Sequence, residues 1–303
     1  MQRAIEVEEL VKTYGELHAV DGISFHVDEG EIFGMVGPNG AGKTTTIECV
    51  EGLRRPDSGR VQALGLDPWH DGRALRERIG VQLQEAALPE RIKVWEALDL
   101  FSAFYRRTQD WRPLLGQLGL EEKRKTPFDQ LSGGQKQRLF IALALVNKPD
   151  LIFLDELTTG LDPQARRAMW DLVREIRDQG TTVFLTTHYM EEAERLCDRV
   201  AIIDHGELVT LDSPENLIRE LDADTRVVFS TSDDLQAERL EALSSVRRVE
   251  RIGERFVAYG LDGVVSDVVN VLEREGITFR DLHTEEPSLE DVFLKLTGRE
   301  LRA

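Results

Sequence analysis

The stretch Gly37-Pro-Asn-Gly-Ala-Gly-Lys-Thr-Thr45 decides how this chain folds. It follows the apolar segment 32–36, a predicted β-strand, and matches the pattern G-x-x-x-x-G-K-[ST] of a phosphate-binding loop. Glycines permit positive φ angles and a close approach to an anion, so backbone N–H groups and the following helix can face phosphates. We therefore expect a bound nucleoside triphosphate. A glycine-rich turn without a ligand is the simpler alternative.

Single residues of this loop have predicted roles. Lys43 would place a positive charge near the β- and γ-phosphates, and Thr44 would offer a hydroxyl group to Mg²⁺. The candidate nucleotide ligands are Gly37, Pro38, Asn39, Gly40, Ala41, Gly42, Lys43, Thr44 and Thr45.

Length and charge narrow the class of protein. The chain has 303 residues, of which 41% are hydrophobic, enough for two globular domains. Its 38 basic and 56 acidic residues give a net charge of −18, which argues against nucleic acid or an anionic lipid surface as a broad partner. Cys49 and Cys197 lack metal-ligand spacing and favour a reducing compartment. No apolar run is long enough to span a bilayer, so we expect no direct membrane insertion.

Periodicity predicts an α/β fold for residues 1–221. Alternating apolar residues over the first 30 positions indicate an antiparallel β subdomain. Apolar strands near 151–154, 182–185 and 199–203 alternate with helices, which favours a largely parallel sheet in a mixed core.

A helical subdomain is predicted at about 85–147 because its apolar residues recur every three to four positions. The stripe formed by Trp95, Leu98, Phe101 and Tyr105 is interpreted as packed core rather than a cofactor site.

Residues 222–303 are predicted as a second, accessory domain. The order βαββαβ over 225–284 is typical of a ferredoxin-like α+β unit, and a helix follows at 288–296. Positions 222–224 are interpreted as the linker. Such a domain could bind a small regulatory ligand, or serve in dimerisation or docking.

The octapeptide Leu131-Ser-Gly-Gly-Gln-Lys-Gln-Arg138 resembles the signature of ATP-binding cassette (ABC) ATPases, a class of P-loop NTPases. The phosphate loop alone leaves kinases, GTPases, helicases and transport ATPases open. In this family the signature shortly precedes an apolar strand that ends in two acids, and here Leu151-Ile-Phe-Leu-Asp-Glu156 follows it. The resemblance implies that Ser132, Gly133, Gly134 and Gln135 face a γ-phosphate. A plain helix N-cap is the alternative, and both can hold.

The two acids that end this strand have separate implied roles. Carboxyl ends of strands gather ligands in α/β sheets, and adjacent strand residues point to opposite sides. By resemblance, Asp155 organises Mg²⁺ and Glu156 polarises the attacking water. The family commonly has proline after the catalytic glutamate, whereas this chain has Leu157, which makes the position of Glu156 less certain.

Four further positions match the cassette pattern. Tyr14 resembles the residue that stacks on adenine, with an ordinary half-buried tyrosine as the alternative. Gln84 matches the glutamine that reaches Mg²⁺ and the water, and is preferred over Gln82 because it ends the strand. Asp162 resembles the loop that crosses to a partner subunit, or else caps a helix. His188 resembles the switch histidine at the γ-phosphate, so the implied catalytic set is Lys43, Gln84, Glu156 and His188.

The resemblance implies an ATPase with ATP and Mg²⁺ that works as a homodimer, with each signature facing the other chain's phosphate loop. A separate membrane permease would carry the cargo, so the chain is expected at the cytoplasmic face of a membrane. The end segment 286–298 resembles the ATPase subunits of daunorubicin-resistance-type exporters, which favours export, including drug export. A cassette protein acting on ribosomes or DNA is the alternative; the basic arms, second cassette or coiled coils of that class are absent from the sequence.

Overall fold

The computed structural model describes residues 2–83, 87–221, 224–260 and 263–298. These residues form two compact units: one comprises the described residues up to Pro214, and the other is Glu215–Gly298. The domain division at residues 221 and 222 stays a prediction.

The first unit contains sixteen helices and strands within its described residues. They are β1 (Arg3–Tyr14), β2 (Leu17–Asp28), β3 (Ile32–Val36), α1 (Lys43–Glu51), β4 (Ser58–Ala63), α2 (Gly72–Arg76), β5 (Ile79–Gln82), α3 (Val94–Ser102), α4 (Trp111–Gln117), α5 (Gly133–Leu145), β6 (Leu151–Asp155), α6 (Pro163–Asp178), β7 (Thr182–Thr187), α7 (Met190–Leu196), β8 (Arg199–Asp204) and β9 (Glu207–Asp212). Short 3-10 helices at Glu121–Lys123 and Phe128–Gln130 lie between α4 and α5.

A six-stranded sheet in the order β5-β6-β7-β3-β8-β9 is the centre of this unit. All of its pairings are parallel except that of β8 with β9, which confirms the predicted mixed, largely parallel core. Every residue of β3, β6 and β7 is buried, as expected for strands covered on both faces. Phe33, Phe153 and Phe184 pack together there, with the Phe33 and Phe184 ring centroids 5.4 Å apart.

The predicted antiparallel subdomain is present as a separate three-stranded sheet in the order β2-β1-β4. Its strands β1 and β2 each have 12 residues, so the residues predicted as several short strands form one long hairpin. Phe25 of β2 points from this sheet into the central core, where its ring stacks on Phe33 at 5.5 Å.

The predicted helical subdomain contains α3, α4 and α5. In the predicted stripe Leu98 is buried, while Trp95, Phe101 and Tyr105 are only half-buried. The stripe therefore packs on one side alone, and Tyr105 lies beyond the end of α3.

The second unit has the predicted βαββαβ order. It contains α8 (Pro214–Glu220), β10 (Thr225–Ser230), α9 (Ala237–Glu241), β11 (Val246–Ile252), β12 (Arg255–Gly260), α10 (Val264–Arg274), β13 (Arg280–Glu285) and α11 (Leu289–Thr297). The sheet order β11-β12-β10-β13, antiparallel throughout, is the ferredoxin-like arrangement.

The last predicted strand of this unit begins two residues late. Side chains hold Thr278 instead of the strand ladder, because its N–H donates to Asp233 Oδ2 at 2.6 Å and its carbonyl accepts from Thr231 Oγ1 at 2.8 Å. Regular pairing with β10 starts at Arg280.

None of the helices among the described residues is long and apolar enough to cross a membrane.

The aromatic cluster at the centre of the first unit predicts a large stability effect. Phe184 is fully buried and contacts Phe25, Phe33 and Phe153. We expect Phe184→Ala to lower the free energy of unfolding by about 3–5 kcal/mol, because the lost ring leaves a cavity. Urea unfolding followed by tryptophan fluorescence measures this effect.

Tryptophan emission reports on the first unit because Trp69, Trp95, Trp111 and Trp170 all precede Pro214. Leu17→Ala is the control, since Leu17 is 65% exposed and its loss should leave the unfolding midpoint almost unchanged. Equal midpoints for both variants would contradict the proposed role of the aromatic cluster.

Candidate functional site

The phosphate loop joins β3 to α1 and is held by close backbone contacts. Gly42 has φ +105°, and a Cβ atom there would lie 2.2 Å from the Ala19 carbonyl oxygen. A Cβ atom at Gly37 would lie equally close to the Ile203 carbonyl oxygen, at 2.2 Å. Glycine is therefore required at both positions to fit the loop between β2 and β8.

Lys43 opens α1 and is almost completely buried, with 4% of its surface exposed. Its Nζ donates to the carbonyl oxygens of Gly37 at 2.8 Å and Pro38 at 3.1 Å, and lies 3.9 Å from Glu156 Oε1. Burial lowers the pKa of Lys43, while the charges of Glu156 and Asp155 oppose that shift. Thr44 and Thr45 are half-buried in the same helical turn.

The two acids at the end of β6 leave the strand in different directions. Asp155 is buried and accepts a hydrogen bond from Thr186 Oγ1 of the neighbouring strand β7. Desolvation raises the pKa of Asp155. Glu156 follows with φ +48°, a left-handed backbone conformation that a proline at position 157 would disfavour.

His188 comes directly after β7 and faces the same carboxylate. Its Nδ1 lies 3.4 Å from Glu156 Oε1. The structure therefore brings together four predicted site residues, Lys43, Asp155, Glu156 and His188, at the carboxyl edge of the sheet. One carboxylate oxygen of Glu156 lies within 4 Å of both Lys43 Nζ and His188 Nδ1. The approach of His188 Nδ1 is a charge contact and not a hydrogen bond, because this buried atom has no hydrogen-bond partner among the described residues.

Ser132 to Gln135 form the N-terminus of α5. Ser132 Oγ accepts from the Gln135 N–H at 3.3 Å, and Gln135 Oε1 accepts from the Ser132 N–H at 3.0 Å. This capping box bears out the N-cap interpretation. Gly133 and Gly134, the first residues of α5, have no side chains to cover the end of the helix.

Asp162 also caps a helix, as its alternative interpretation predicts. Its carboxylate accepts from the N–H groups of Gln164 at 3.0 Å and Ala165 at 2.9 Å, at the start of α6. A cavity of about 400 Å³ separates this loop from α5. Its lining includes Ser132, Gly133, Gly134, Gln135 and Asp162.

Two predicted ligands are not part of this cluster. Tyr14 lies at the end of β1, and Gln84 is not among the residues that the structure describes. Tyr14 is 42% exposed, with Lys12 Nζ and Arg54 Cζ at 5.7 Å and 5.4 Å from its ring centroid. The expectation that Gln84 ends the strand was wrong, because β5 ends at Gln82. Gln82 is buried, and its amide nitrogen donates to the Leu83 carbonyl oxygen at 2.7 Å.

Two buried groups near this site have no counterpart in the sequence predictions. The Thr186 hydroxyl donates a hydrogen bond to Asp155. Glu51, the last residue of α1, is buried, and within the described residues neither of its carboxylate oxygens has a hydrogen-bond partner. The sequence feature that could have indicated a buried acid is the position of Glu51 directly after the apolar residues Ile47, Cys49 and Val50.

Comparisons with known proteins agree with this geometry. A family model described as ABC transporter matches residues 20–159. The chain is 41% identical to the Nod factor export ATP-binding protein I of Paraburkholderia xenovorans (strain LB400), covering 99% of both chains.

Solved structures give the same result for the fold. An ATP-binding subunit of an ABC transporter superposes with a TM-score of 0.65 at 29% identity, over 72% of this chain and 92% of the other. A dimeric ATP-binding cassette in a post-hydrolysis state, bound to ADP and Pi, superposes with a TM-score of 0.63 at 28% identity, over 69% of this chain and 98% of the other.

The close approach at Gly42 predicts a specific loss of nucleotide binding. A methyl group at this position would collide with the Ala19 carbonyl oxygen and displace the loop, so we expect Gly42→Ala to abolish binding of a fluorescent ATP analogue. Gly180→Ala is the matched control, because Gly180 has φ +96° with nothing within 4 Å of a Cβ atom.

Both alanine variants carry the strain of a left-handed backbone, about 1–2 kcal/mol. The collision is confined to position 42, so only that variant should lose binding. Normal binding by Gly42→Ala would contradict the loop geometry.

Glu51 predicts how stability depends on pH. Burial, with smaller contributions from the charges of Asp155 and Glu48, raises the pKa of Glu51 from 4.5 to about 9. Between these two values the folded chain holds a proton that the unfolded chain has lost. The free energy of unfolding therefore falls as pH rises, by at most about 1.4 kcal/mol per pH unit.

Glu51→Gln should remove this contribution, because glutamine does not ionise. Melting temperatures measured from pH 5 to pH 9 should then fall less steeply for Glu51→Gln than for the unmodified chain. The control Glu16→Gln changes an exposed side chain and should reproduce the unmodified curve. Parallel curves for all three proteins would show that Glu51 is ionised in the folded state.

Proposed function

This chain belongs to the ABC transporter family of ATP-binding proteins, and from that premise we propose that it is the ATP-hydrolysing subunit of an exporter. The observation that carries the proposal is the convergence of Lys43, Glu156 and His188 on one point beside the phosphate loop. Hydrolysis of a phosphoanhydride needs a group that orients water next to groups that stabilise phosphoryl charge, and these residues supply both.

In the proposed complex the triphosphate of ATP lies against the loop Gly37–Thr45. The N-terminus of α1 and the loop N–H groups would bind the phosphate oxygens. Lys43 Nζ, which here donates to two loop carbonyl oxygens, would turn to the β- and γ-phosphates. Tyr14 would stack on adenine, with Lys12 and Arg54 near its ring.

The residues beside the loop fit Mg²⁺, which prefers hard oxygen ligands. Thr44 offers a hydroxyl group, and Asp155 offers a buried carboxylate held in place by Thr186. A bound cation would offset the desolvation of the buried Asp155 carboxylate. Gln84 would complete the protein ligands. Bound Mg²⁺ would neutralise phosphate charge during transfer.

Glu156 is the proposed general base. Its carboxylate would accept a hydrogen bond from the attacking water and orient it in line with the γ-phosphate. His188 would contact the γ-phosphate and, through the 3.4 Å approach of Nδ1 to Oε1, keep Glu156 in place.

The proposed active unit is a homodimer. Ser132, Gly133, Gly134 and Gln135 face the cavity beside Asp162 in their own chain, and their helix N-terminus suits an anion. In the dimer these residues would reach the γ-phosphate held by Lys43 of the second chain. The dimeric form of a solved cassette bound to ADP and Pi supports this arrangement.

We place the transport pathway on a separate membrane permease, because relatives of this chain are named as ATP-binding proteins of Nod factor export. The chain would then lie at the cytoplasmic face of that subunit. Relatives named as Nod factor export proteins favour export over a role on ribosomes or DNA. Drug export and a docking or ligand-binding role for residues 222–303 remain proposals from the sequence.

Glu156→Gln tests the proposed function. This change removes the basic carboxylate and keeps its shape, so we expect kcat for ATP hydrolysis to fall by about 10²–10⁴-fold while ATP binding persists. The ATP-bound variant should accumulate as a dimer, detected by light scattering during size-exclusion chromatography. Activity of the unmodified chain should rise with protein concentration.

Lys43→Ala serves as the comparison, since it should lose nucleotide binding. Glu191→Gln is the matched control, because it makes the same change at a side chain that is 56% exposed and should leave hydrolysis unchanged. A normal hydrolysis rate in Glu156→Gln would refute the assigned base. Activity of a monomer that does not depend on concentration would refute the dimeric site.

A further inference from the structure

Three side chains in contact with one another lead away from the proposed base. The rings of His188 and Tyr189 lie 4.0 Å apart between centroids, with an angle of 41° between their planes. The guanidinium carbon of Arg166, a residue of α6, lies 4.3 Å from the centroid of the Tyr189 ring. Since His188 Nδ1 lies 3.4 Å from Glu156 Oε1, the contacts are continuous from Glu156 to Arg166. We call the three groups His188, Tyr189 and Arg166 the switch stack.

One end of the switch stack is fixed to the first turn of α6. The N–H of Arg166 donates to the Asp162 carbonyl oxygen at 2.9 Å, and the Asp162 carboxylate caps the same turn. Any displacement of the Asp162 loop therefore moves the backbone that carries Arg166.

A buried acid fixes α7 against α6 beside the switch stack. Glu192 of α7 is 2% exposed and accepts a hydrogen bond from Trp170 Nε1 at 3.0 Å. Trp170 lies one helical turn after Arg166 on α6. Burial raises the pKa of the Glu192 carboxyl, while hydrogen bonds, including the one from Trp170, and then the positive charge of Arg166 oppose that shift.

Stacking and charge, rather than a full set of hydrogen bonds, hold the guanidinium group. Arg166 Nε is buried and has no hydrogen-bond partner among the described residues. A planar cation over an aromatic ring is a directional contact, so the angle of the Tyr189 ring depends on where Arg166 sits.

We propose that Arg166 and Tyr189 are positioning residues for His188, and that they couple its orientation to the Asp162 loop. This inference rests on the proposed function, in which that loop meets a second chain. Arrival of the second chain at Asp162 would shift the first turn of α6, and the switch stack would carry the shift to His188 and so to Glu156.

Steady-state hydrolysis by Arg166→Leu and Tyr189→Leu tests the proposal. Neither side chain belongs to the phosphate loop, so KM for ATP should stay within about twofold while kcat falls about tenfold, the size expected for a small misplacement of a catalytic group. Tyr189→Phe keeps the ring and should retain nearly the full kcat. Arg166→Lys keeps the charge without the planar group and should lose most of what Arg166→Leu loses.

Arg167→Leu is the matched control, because Arg167 lies on the same helical turn and is exposed. It removes the same charge and should leave kcat unchanged. A loss in Arg167→Leu equal to that in Arg166→Leu would reduce the effect to helix charge and overturn the proposal.

A second readout follows the imidazole itself. The Hε1 proton resonance of His188, assigned by its absence from His188→Gln, should shift in Arg166→Leu and stay in place in Arg167→Leu, because the ring turns only when the stack is broken. A fall in kcat without this shift, or no change in either quantity, would overturn the positioning role.

The two proposals can fail separately. If the unmodified chain hydrolyses ATP and Glu156→Gln does not, an unaffected Arg166→Leu refutes the switch stack alone. If the unmodified chain does not hydrolyse ATP, the proposed function fails and the coupling fails with it, whatever the resonance shows about ring geometry.

Discussion

Removing the Lys43 ammonium group from water is the cost that the surrounding structure has to offset. Two backbone carbonyl oxygens of the phosphate loop and the Glu156 carboxylate provide that compensation. They can do so because β6, β7 and β3 are neighbours in the parallel sheet, so the residues that follow them meet at one edge. The strand order thus determines which charges come together. Because β7 lies between β6 and β3, His188 follows a strand that lies between those that lead to Glu156 and Lys43.

Much of the candidate site was predictable, because its residues lie at or after the ends of strands that can be recognised from their own apolar sequences. Asp155, Glu156 and His188 each end or directly follow a short apolar run, and Lys43 follows another such run through the phosphate loop. The site forms when those runs pair side by side. The hydrogen bond from Thr186 to Asp155 could not be predicted, because it needs the register of β6 against β7, which pairs these two residues directly. Every residue of both strands is buried, so neither sequence has the alternation of apolar and exposed polar residues that would fix this register.

The same distinction holds for the fold. Periodicity predicted the strands β6, β7 and β8 of the first unit and the βαββαβ order of the second unit, but it did not predict β9. The differences arise where side chains compete with the backbone ladder, as at Thr278, whose N–H is taken by Asp233. The partial burial of the α3 stripe and the contact of Glu192 with Trp170 depend on how helices from distant parts of the sequence pack, which local patterns do not encode.

The two edges of the central sheet restrict how copies of this chain can associate. One edge strand, β5, has four residues. The other, β9, has six residues and lies beside β2. An edge that is short or lies against another strand offers few backbone groups to a foreign strand. Strand addition is therefore disfavoured at the central sheet. Two copies that met through the loops and helix ends of the proposed dimer would associate without disturbing the hydrogen-bond ladder of that sheet in either copy.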